Sequence, residues 1–466
     1  MKTTMSCLML AAVLAACCGG ARTEKVDIQP GEAWLSNYIG EQKIGYSVFM
    51  TERFDDGYRF DNLMRMEIAM ADKVQKLKTH SVVTTEPDLT LRSFSFRIES
   101  QDRTMAATGG VQGNELIIKV EGDQPRVLKL EGPVYPMSAL GLLAVSRESD
   151  SLFTVNVFDP AMMAITPVEL RPAGWERLVV EATEYKALKT RSKLAQFEIV
   201  SWVDENGLTI REESPPNMIS VRTTPDQAVA GQTGGSLDLL KMFRVQVDTV
   251  VSDPAGVKRM KVELTGLTPG DYELEYGFQR VLANDPLLVE VSVPLVPDAP
   301  VALPITGMDV FLEPTVAIQC DNRALVEKAR AVLGEPKDAV EASRKLTSWV
   351  FNALEKEPTA SFPTALDVLR HMKGDCNEHA VFFAALARAV GIPTKVAVGL
   401  VYMNGAFYYH AWNEVYLGEW VPVDATFGEF PAGAMRLKLS EGGIEQQTRI
   451  LGVVGKLGMR ILELQN

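Results

Sequence analysis

The sequence predicts an α+β protein: N-terminal and middle antiparallel β domains, followed by a C-terminal α+β domain. Three observations predict this. From about Glu32 to Val221 apolar and polar residues alternate with period two, and turn dipeptides punctuate the run at Asp56-Gly57, Gly113-Asn114 and Asn206-Gly207. Beyond about residue 312 the apolar residues recur at helical spacing instead. The composition, 46% hydrophobic and 23% charged over 466 residues, is that of a globular chain long enough for about three domains at roughly 150 residues each.

The first element is an address. Met1 and Lys2 precede a mostly apolar run from Met5 to Ala16 that ends Leu14-Ala15-Ala16-Cys17. About twelve residues are too few to span a hydrocarbon core of ~30 Å at ~1.5 Å per residue, but they match a signal-peptide core with small residues before its cleavage point. An aliphatic residue, two small residues and a cysteine resemble the bacterial lipoprotein signals. That resemblance implies a signal peptide over 1–16, lipidation of Cys17 and a tether over 17–31. Several acyl chains on one residue anchor stably where a single chain holds only marginally. Cys18, where an Asp would retain the protein, implies an outer-membrane location facing the periplasm. A plain secretory signal cleaved near Ala16 is the alternative.

Residues 32–222 read as one large antiparallel sheet domain. Lys43–Arg53, Tyr58–Ala69, Lys76–Thr85, Thr90–Ile98 and Glu115–Val120 are successive strands, Pro136 to Val145 is a helical interruption, and strands resume at Phe153 and across Leu178–Thr190. The layout resembles the half-barrel sheets of periplasmic lipoprotein carriers in topology alone, which carries no function. A Pro/Gly/Thr-rich stretch, Thr223 to Gly235, breaks the pattern. Alternation at Phe243, Val245 and Val247, and again at Tyr272, Leu274 and Tyr276, predicts a small independent β-sandwich-like module over 237–300. Pro294, Pro297, Pro300 and Pro304 then read as an extended linker.

The C-terminal domain, 312–466, opens with helices. Ala324 to Leu333 forms an apolar stripe stopped by Gly334 and Pro336, Asp338 to Glu355 a second helix, Thr364 to Met372 a third, and about Asn377 to Val390 a long apolar one closed by Gly391-Ile392-Pro393. Strands Lys395–Met403, Ala406–Tyr416 and Trp420–Ala425 follow, the first two joined by Asn404-Gly405, a strong two-residue hairpin signal.

Charge and scarce side chains narrow the chemistry. With 60 acidic against 47 basic residues the net charge is -13, which lacks the basic field for binding nucleic acid. Five cysteines are too few for a disulfide framework, and only four histidines are present. Cys376 lies where the long helix begins, after Gly374-Asp375, so helix N–H groups and the dipole favour its thiolate and offer donors to an oxyanion. His410 lies mid-strand in Tyr408-Tyr409-His410-Ala411-Trp412-Asn413-Glu414, and Asp424 ends the next strand, ready to orient an imidazole. The geometry depends on one loop. If the turn after Tyr416 has three residues, Leu417 to Glu419, then Tyr416 pairs Trp420, Trp412 pairs Asp424, and Asp424 shares the face of His410. A two-residue loop would put Asp424 on the opposite face; Gly418 suits the longer version.

These residues resemble the transglutaminase-like superfamily of papain-like fold. The matching stretches are Thr364-Ala365-Leu366 through Lys373-Gly374-Asp375-Cys376-Asn377-Glu378-His379, the helix end Ala387 to Pro393, and His410 to Tyr416 with Trp420 to Thr426. By position the resemblance makes Cys376 the nucleophile, His410 the general base and acid, and Asp424 the orienting carboxylate. It implies acyl transfer or hydrolysis at peptide or glutamine amide bonds through a thioester, on a protein or peptide substrate. No calcium loop of the animal enzymes' type occurs, and neither a cofactor nor a metal is expected. Trp412, Trp349 and Tyr408 are the candidates for lining a substrate cleft, with core packing the alternative for the tryptophans. His371 and His80 read as surface residues, His379 as a polar helix position and Cys320 as inert. The competing function is a catalytically silent lipoprotein whose N-terminal β domain holds a lipid or protein partner.

Overall fold

The computed structural model describes residues 29–466 apart from 55, 71–72, 101–102, 148–149, 195–196, 232–243, 269, 360–362 and 444–447. Cys17 and the signal and tether segments up to residue 28 lie outside the described residues, as does the Phe243 expected in a strand.

Alternating residues build one fifteen-stranded sheet. Its strands are β1 (Gly31–Ile39), β2 (Gln42–Phe54), β3 (Gly57–Met70), β4 (Lys73–Thr85), β5 (Leu91–Ser100), β6 (Arg103–Gln112), β7 (Glu115–Val120) and β8 (Arg126–Lys129). The second half comprises β9 (Val134–Pro136), β10 (Phe153–Asp159), β11 (Ala164–Val180), β12 (Thr183–Leu194), β13 (Phe197–Val203), β14 (Thr209–Ser214) and β15 (Met218–Thr223). Neighbours in sequence pair, β1 joins β15 in the middle, and β8 and β9 form the two edges. The sheet curls until its two halves touch: Phe94 of β5 packs on Phe158 of β10, ring centroids 4.7 Å apart. Helix α1 (Leu140–Val145) plugs the concave face, burying Leu140, Leu142 and Leu143 with Phe60, Val168 and Leu188. The strands expected across Leu178–Thr190 are two arms of a hairpin, because the chain reverses at Glu181-Ala182, both with positive φ (47° and 66°). Neither residue type signals such a turn. A short capped helix, α2 (Pro225–Val229), follows the sheet.

The middle stretch does not stand apart. The pairs of β16 (Arg244–Gln246) lie on β23 (Ala406–Tyr416), far along the chain. Strands β17 (Arg259–Thr265), β18 (Gln279–Asn284) and β19 (Leu287–Ser292) form a four-stranded sheet with β26 (Gly458–Gln465), the last strand of the chain. Tyr272, Leu274 and Tyr276 alternate without forming a strand; Tyr272 and Leu274 are buried side chains of a loop draped over the core. Alternation reports which side chains face inward, not which sheet they join.

In the C-terminal region three helices, α3 (Arg323–Leu333), α4 (Ala339–Ala353) and α5 (Ala365–His371), pack around a fourth, α6 (Cys376–Ala389). Phe382, Phe383, Ala384 and Leu386 of α6 are fully buried. Between α4 and α6 two short strands, β20 (Glu355–Lys356) and β21 (Lys373–Gly374), pair in parallel. The helices cover one face of a sheet made by β16, β23, β22 (Thr394–Met403) and β25 (Arg436–Glu441), with β24 (Trp420–Val423) added on β23. The four-stranded sheet covers the other face, where Val262, Leu264 and Val289 meet Leu400, Phe407 and Leu437. At the β22–β23 turn Asn404 and Gly405 both take positive φ (50° and 84°), as a two-residue hairpin of this twist requires. The architecture is thus α+β, largely strand.

Candidate active site

Cys376 is the first residue of α6, and the sequence around it caps the helix twice. The Asp375 side chain accepts the Asn377 amide at 2.9 Å, and Glu378 reaches back to accept the Asp375 amide at 3.0 Å. Glycine is needed at 374 for this, because a Cβ there would lie 2.3 Å from that of Glu378. Cys376 is half-buried, and the backbone amide of Ala411, the residue after His410, favours its thiolate.

The loop after Tyr416 has the longer form. Tyr416 pairs Trp420, Glu414 pairs Pro422 and Asn413 pairs Val423; Leu417 donates to the Glu419 carbonyl across the turn, and Gly418 takes φ 98°. Asp424 follows directly and meets the imidazole: His410 Nε2 lies 2.8 Å from Asp424 Oδ2. With Nε2 as the N–H donor to the carboxylate, Nδ1 is the nitrogen left to act as base. The structure therefore joins His410 and Asp424 directly and brings Cys376 against the peptide that follows His410.

Arg436, on β25, is the functional residue that sequence reasoning missed. It donates from Nη2 (2.7 Å) and Nε (3.1 Å) to Asp424 Oδ2 and from Nη1 to Glu429 at 2.7 Å. Asp424 Oδ1 accepts the Thr426 and Phe427 amides at 2.9 and 3.2 Å. Burial alone would raise the Asp424 carboxyl, but the charges and hydrogen bonds of His410 and Arg436 hold it well below the usual carboxylate range. The signal was present in Arg436-Leu437-Lys438-Leu439, a strand whose alternating charges turn inward. Lys438 is likewise buried, bonded to Glu414 at 2.7 Å and to Glu441. Phe427, 5.1 Å centroid to centroid from His410, is a second residue left unmarked by the sequence.

The thiol's surroundings differ from the expectation drawn from the helix N-terminus. Burial, then the carboxylates of Asp375, Glu378 and Asp424, raise the Cys376 thiol well above the ordinary cysteine value, against the lowering by the Ala411 amide. Asp375 itself is raised by burial and by Glu378 beside it. His379, one turn along, is fully buried with Nδ1 2.6 Å from the Asp375 carbonyl, and burial lowers its proton affinity.

The remaining candidates fall in different places. Trp412, 1% exposed, stacks beside His410 with centroids 6.2 Å apart and offers no open surface to a substrate. Trp349 packs on Phe382 and beneath Lys328 on the helical side. Tyr408 is half-buried, opposite Arg244 of β16. Cys320 is buried and unbridged, donating to the Leu312 carbonyl at 3.3 Å. His371 is half-buried on the Asp367 carbonyl at 3.0 Å, whereas His80 is exposed beside Asp61. Among the described residues no group of three or more His, Cys, Asp or Glu is arranged to hold a metal ion, and no helix is long and apolar enough to cross a membrane.

Residues 326–425 match the family model of the transglutaminase-like superfamily, which spans Cys376, His410 and Asp424. No curated protein matches the chain. Among solved structures, a candidate cysteine protease from Cytophaga hutchinsonii is 18% identical over 45% of this chain and 85% of its own, with a TM-score of 0.31. A beta-barrel-like protein of a domain of unknown function from Brucella abortus is 10% identical over 43% of this chain and 98% of its own, with a TM-score of 0.36. A candidate protease from Parabacteroides distasonis is 12% identical over 82% of this chain and 70% of its own, with a TM-score of 0.21. TM-scores this low carry no weight for fold or function.

Proposed function

We propose that this chain is a cysteine acyl-transfer enzyme in which Cys376 is the nucleophile, His410 the general base and acid, and Asp424 the residue that orients the imidazole. The observation that carries the reading is the buried 2.8 Å bond from His410 Nε2 to Asp424, beside the β23 segment whose Ala411 amide favours the thiolate of Cys376, the first residue of a capped helix. His410 Nδ1 takes the proton of the Cys376 thiol as the sulfur attacks an amide carbonyl of a protein or peptide substrate. The C–N bond then breaks, the imidazolium gives its proton to the leaving nitrogen, and a thioester remains. Water resolves it to the acid, or a second amine to a new amide, and Cys376 recovers its proton through His410. The Cys376 amide, first of the helix, is the donor proposed for the oxyanion. Burial and the nearby carboxylates favour the neutral thiol, so in the proposed route proton transfer to His410 accompanies attack.

Lipidation at Cys17 would anchor the enzyme to the cell envelope, at the outer membrane facing the periplasm. The test is a screen of wild type against Cys376→Ala on a peptide library with and without amine acceptors. Product that depends on Cys376 supports the reading, and its kind separates hydrolysis from crosslinking; identical traces sink it. One observation favours the second reading, a silent binding module: the curled sheet encloses a cavity of about 380 Å³ lined by Phe49, Phe60, Leu140 and several hydroxyls. Ligand retained by the Cys376→Ala variant, with no turnover by wild type, would select it.

A further inference from the structure

The mouth of α6 is held by a side chain from the other end of the chain. Arg103, the first residue of β6, is 5% exposed, and its Nη2 donates to the Lys373 carbonyl at 2.5 Å. Its Nη1 lies 3.4 Å from Glu378 Oε1 and 3.7 Å from Asp367. Glu378, 1% exposed, also accepts from the Thr359 hydroxyl at 2.7 Å on Oε1 and from the Asp375 amide at 3.0 Å on Oε2. One buried carboxylate thus links a cation of the N-terminal sheet to the peptide that precedes Cys376.

Other contacts make the docking firm. Gln75 of β4 donates to the Pro358 carbonyl at 2.9 Å, and Arg126 of β8 pairs with Asp321 at 2.7 Å. A Cβ on Gly122 would lie 2.0 Å from an Arg370 guanidinium nitrogen, so that cation rests on the turn after β7. The other charges around the mouth have their own partners: Lys373 meets Glu357 at 3.1 Å, His371 meets Asp367 at 3.2 Å, Lys356 lies over the Phe351 ring, and Asp424 holds His410 and Arg436.

We propose that Arg103 is a positioning residue of the active site, so that β6 of the N-terminal sheet completes the catalytic domain and Cys376 is correctly presented only while the two are docked. The inference rests on Cys376 being the nucleophile. Without the guanidinium, Glu378 becomes a buried carboxylate lacking its cation, which must take up a proton or turn away. Either change weakens its hold on the Asp375 amide, and a shift of the helix mouth by a fraction of an ångström misplaces the sulfur.

The experiment is iodoacetamide labelling of Cys376 in the full chain, followed by mass spectrometry. Arg103→Met should slow labelling about tenfold or more, as a small misplacement does, while Arg103→Lys stays within about threefold of wild type. Arg103→Met combined with Glu378→Gln should recover most of the rate when compared with Glu378→Gln alone, which carries whatever the loss of that carboxylate does to the thiol by itself. The carboxamide introduced by Glu378→Gln can accept the Asp375 amide and donate to the Thr359 hydroxyl, and no unpaired charge remains. If Arg103 only fills space, the double variant is as slow as the single one or slower, and the proposal falls. It falls equally if Arg103→Met labels at the wild-type rate. Should Arg103→Met fail to fold, the lysine and double variants decide by the same criteria. Wild type labelling no faster than His410→Ala would sink the enzymatic reading and leave Arg103 a structural tie of the helix mouth, whereas a large His410 effect with Arg103→Met at the wild-type rate sinks the role of Arg103 alone.

Discussion

Replacing Asp424 by Asn tests the centre of the proposed site, because the carboxylate there accepts from five donors. Oδ1 takes the Thr426 and Phe427 amides, and Oδ2 takes His410 Nε2 and two Arg436 nitrogens. Asparagine has one acceptor oxygen and an NH₂ that would face N–H groups. In either amide orientation two or three buried donors are stranded, each at about 1–3 kcal/mol, so Asp424→Asn should lose about 2–9 kcal/mol in urea unfolding at pH 7. The sign with pH follows from the depressed carboxyl. Its contribution is present above the ordinary carboxylate range and is lost as pH falls through the folded value, so the gap between wild type and variant should narrow in acid. Iodoacetamide labelling of Cys376 should slow by on the order of 10²–10⁴, the range for losing a base or its tautomer. A variant within about 1 kcal/mol of wild type, less than one stranded donor costs, and labelled at the same rate would refute the reasoning.

Three further outcomes follow from the same geometry. In His410→Ala, Cys376 is a lone thiol among carboxylates, so its labelling should stay slow at neutral pH and rise with a midpoint above that of a peptide cysteine; a midpoint at or below the ordinary value would contradict the electrostatics. Lys438→Met leaves Glu414 buried without its cation and should cost about 3–5 kcal/mol by chemical denaturation, much of it restored by adding Glu414→Gln. Gly399 pairs His410 on one side and Lys438 on the other, and a Cβ there would lie 1.9 Å from the Leu437 carbonyl oxygen. Gly399→Ala should therefore push β25 and Arg436 outward, costing about 1–3 kcal/mol and slowing Cys376 labelling; an unchanged melting temperature would count against it.

Much of this arrangement was legible because its signals are local. Asp375, Cys376 and Glu378 fall within four residues and specify a capped helix, Asn404-Gly405 fixes the β22–β23 turn, and Gly418 marks the turn that sets the face of Asp424. The long alternation likewise announced strands of the N-terminal sheet, since burial of one face imposes period two whatever the partner. What stayed hidden depends on distance. Nothing near β17 indicates that the final strand, β26, will pair with it, and the Glu181-Ala182 reversal lacks a turn residue. Arg103 and Glu378 are 275 residues apart, so their pairing exists only once the sheet has docked.

The acids around the thiol give the division of labour a physical basis. A cysteine stored as thiolate needs a nearby positive field, but Cys376 is faced by Asp375, Glu378 and Asp424, while the nearby cations Arg103 and Arg436 are committed to Glu378 and Asp424. Such a thiol is poor at reacting by itself, with oxidants or adventitious electrophiles included, since the thiolate is the reactive form. In the proposed mechanism reactivity comes from His410 accepting the proton as a carbonyl arrives, which ties it to correct substrate placement. Asp424 and Arg436 fix the imidazole for that step from one side, and Glu378 and Arg103 fix the helix mouth from the other. Under this division, changes at Arg436 should act through the pH dependence of the base, and changes at Arg103 through presentation of the sulfur.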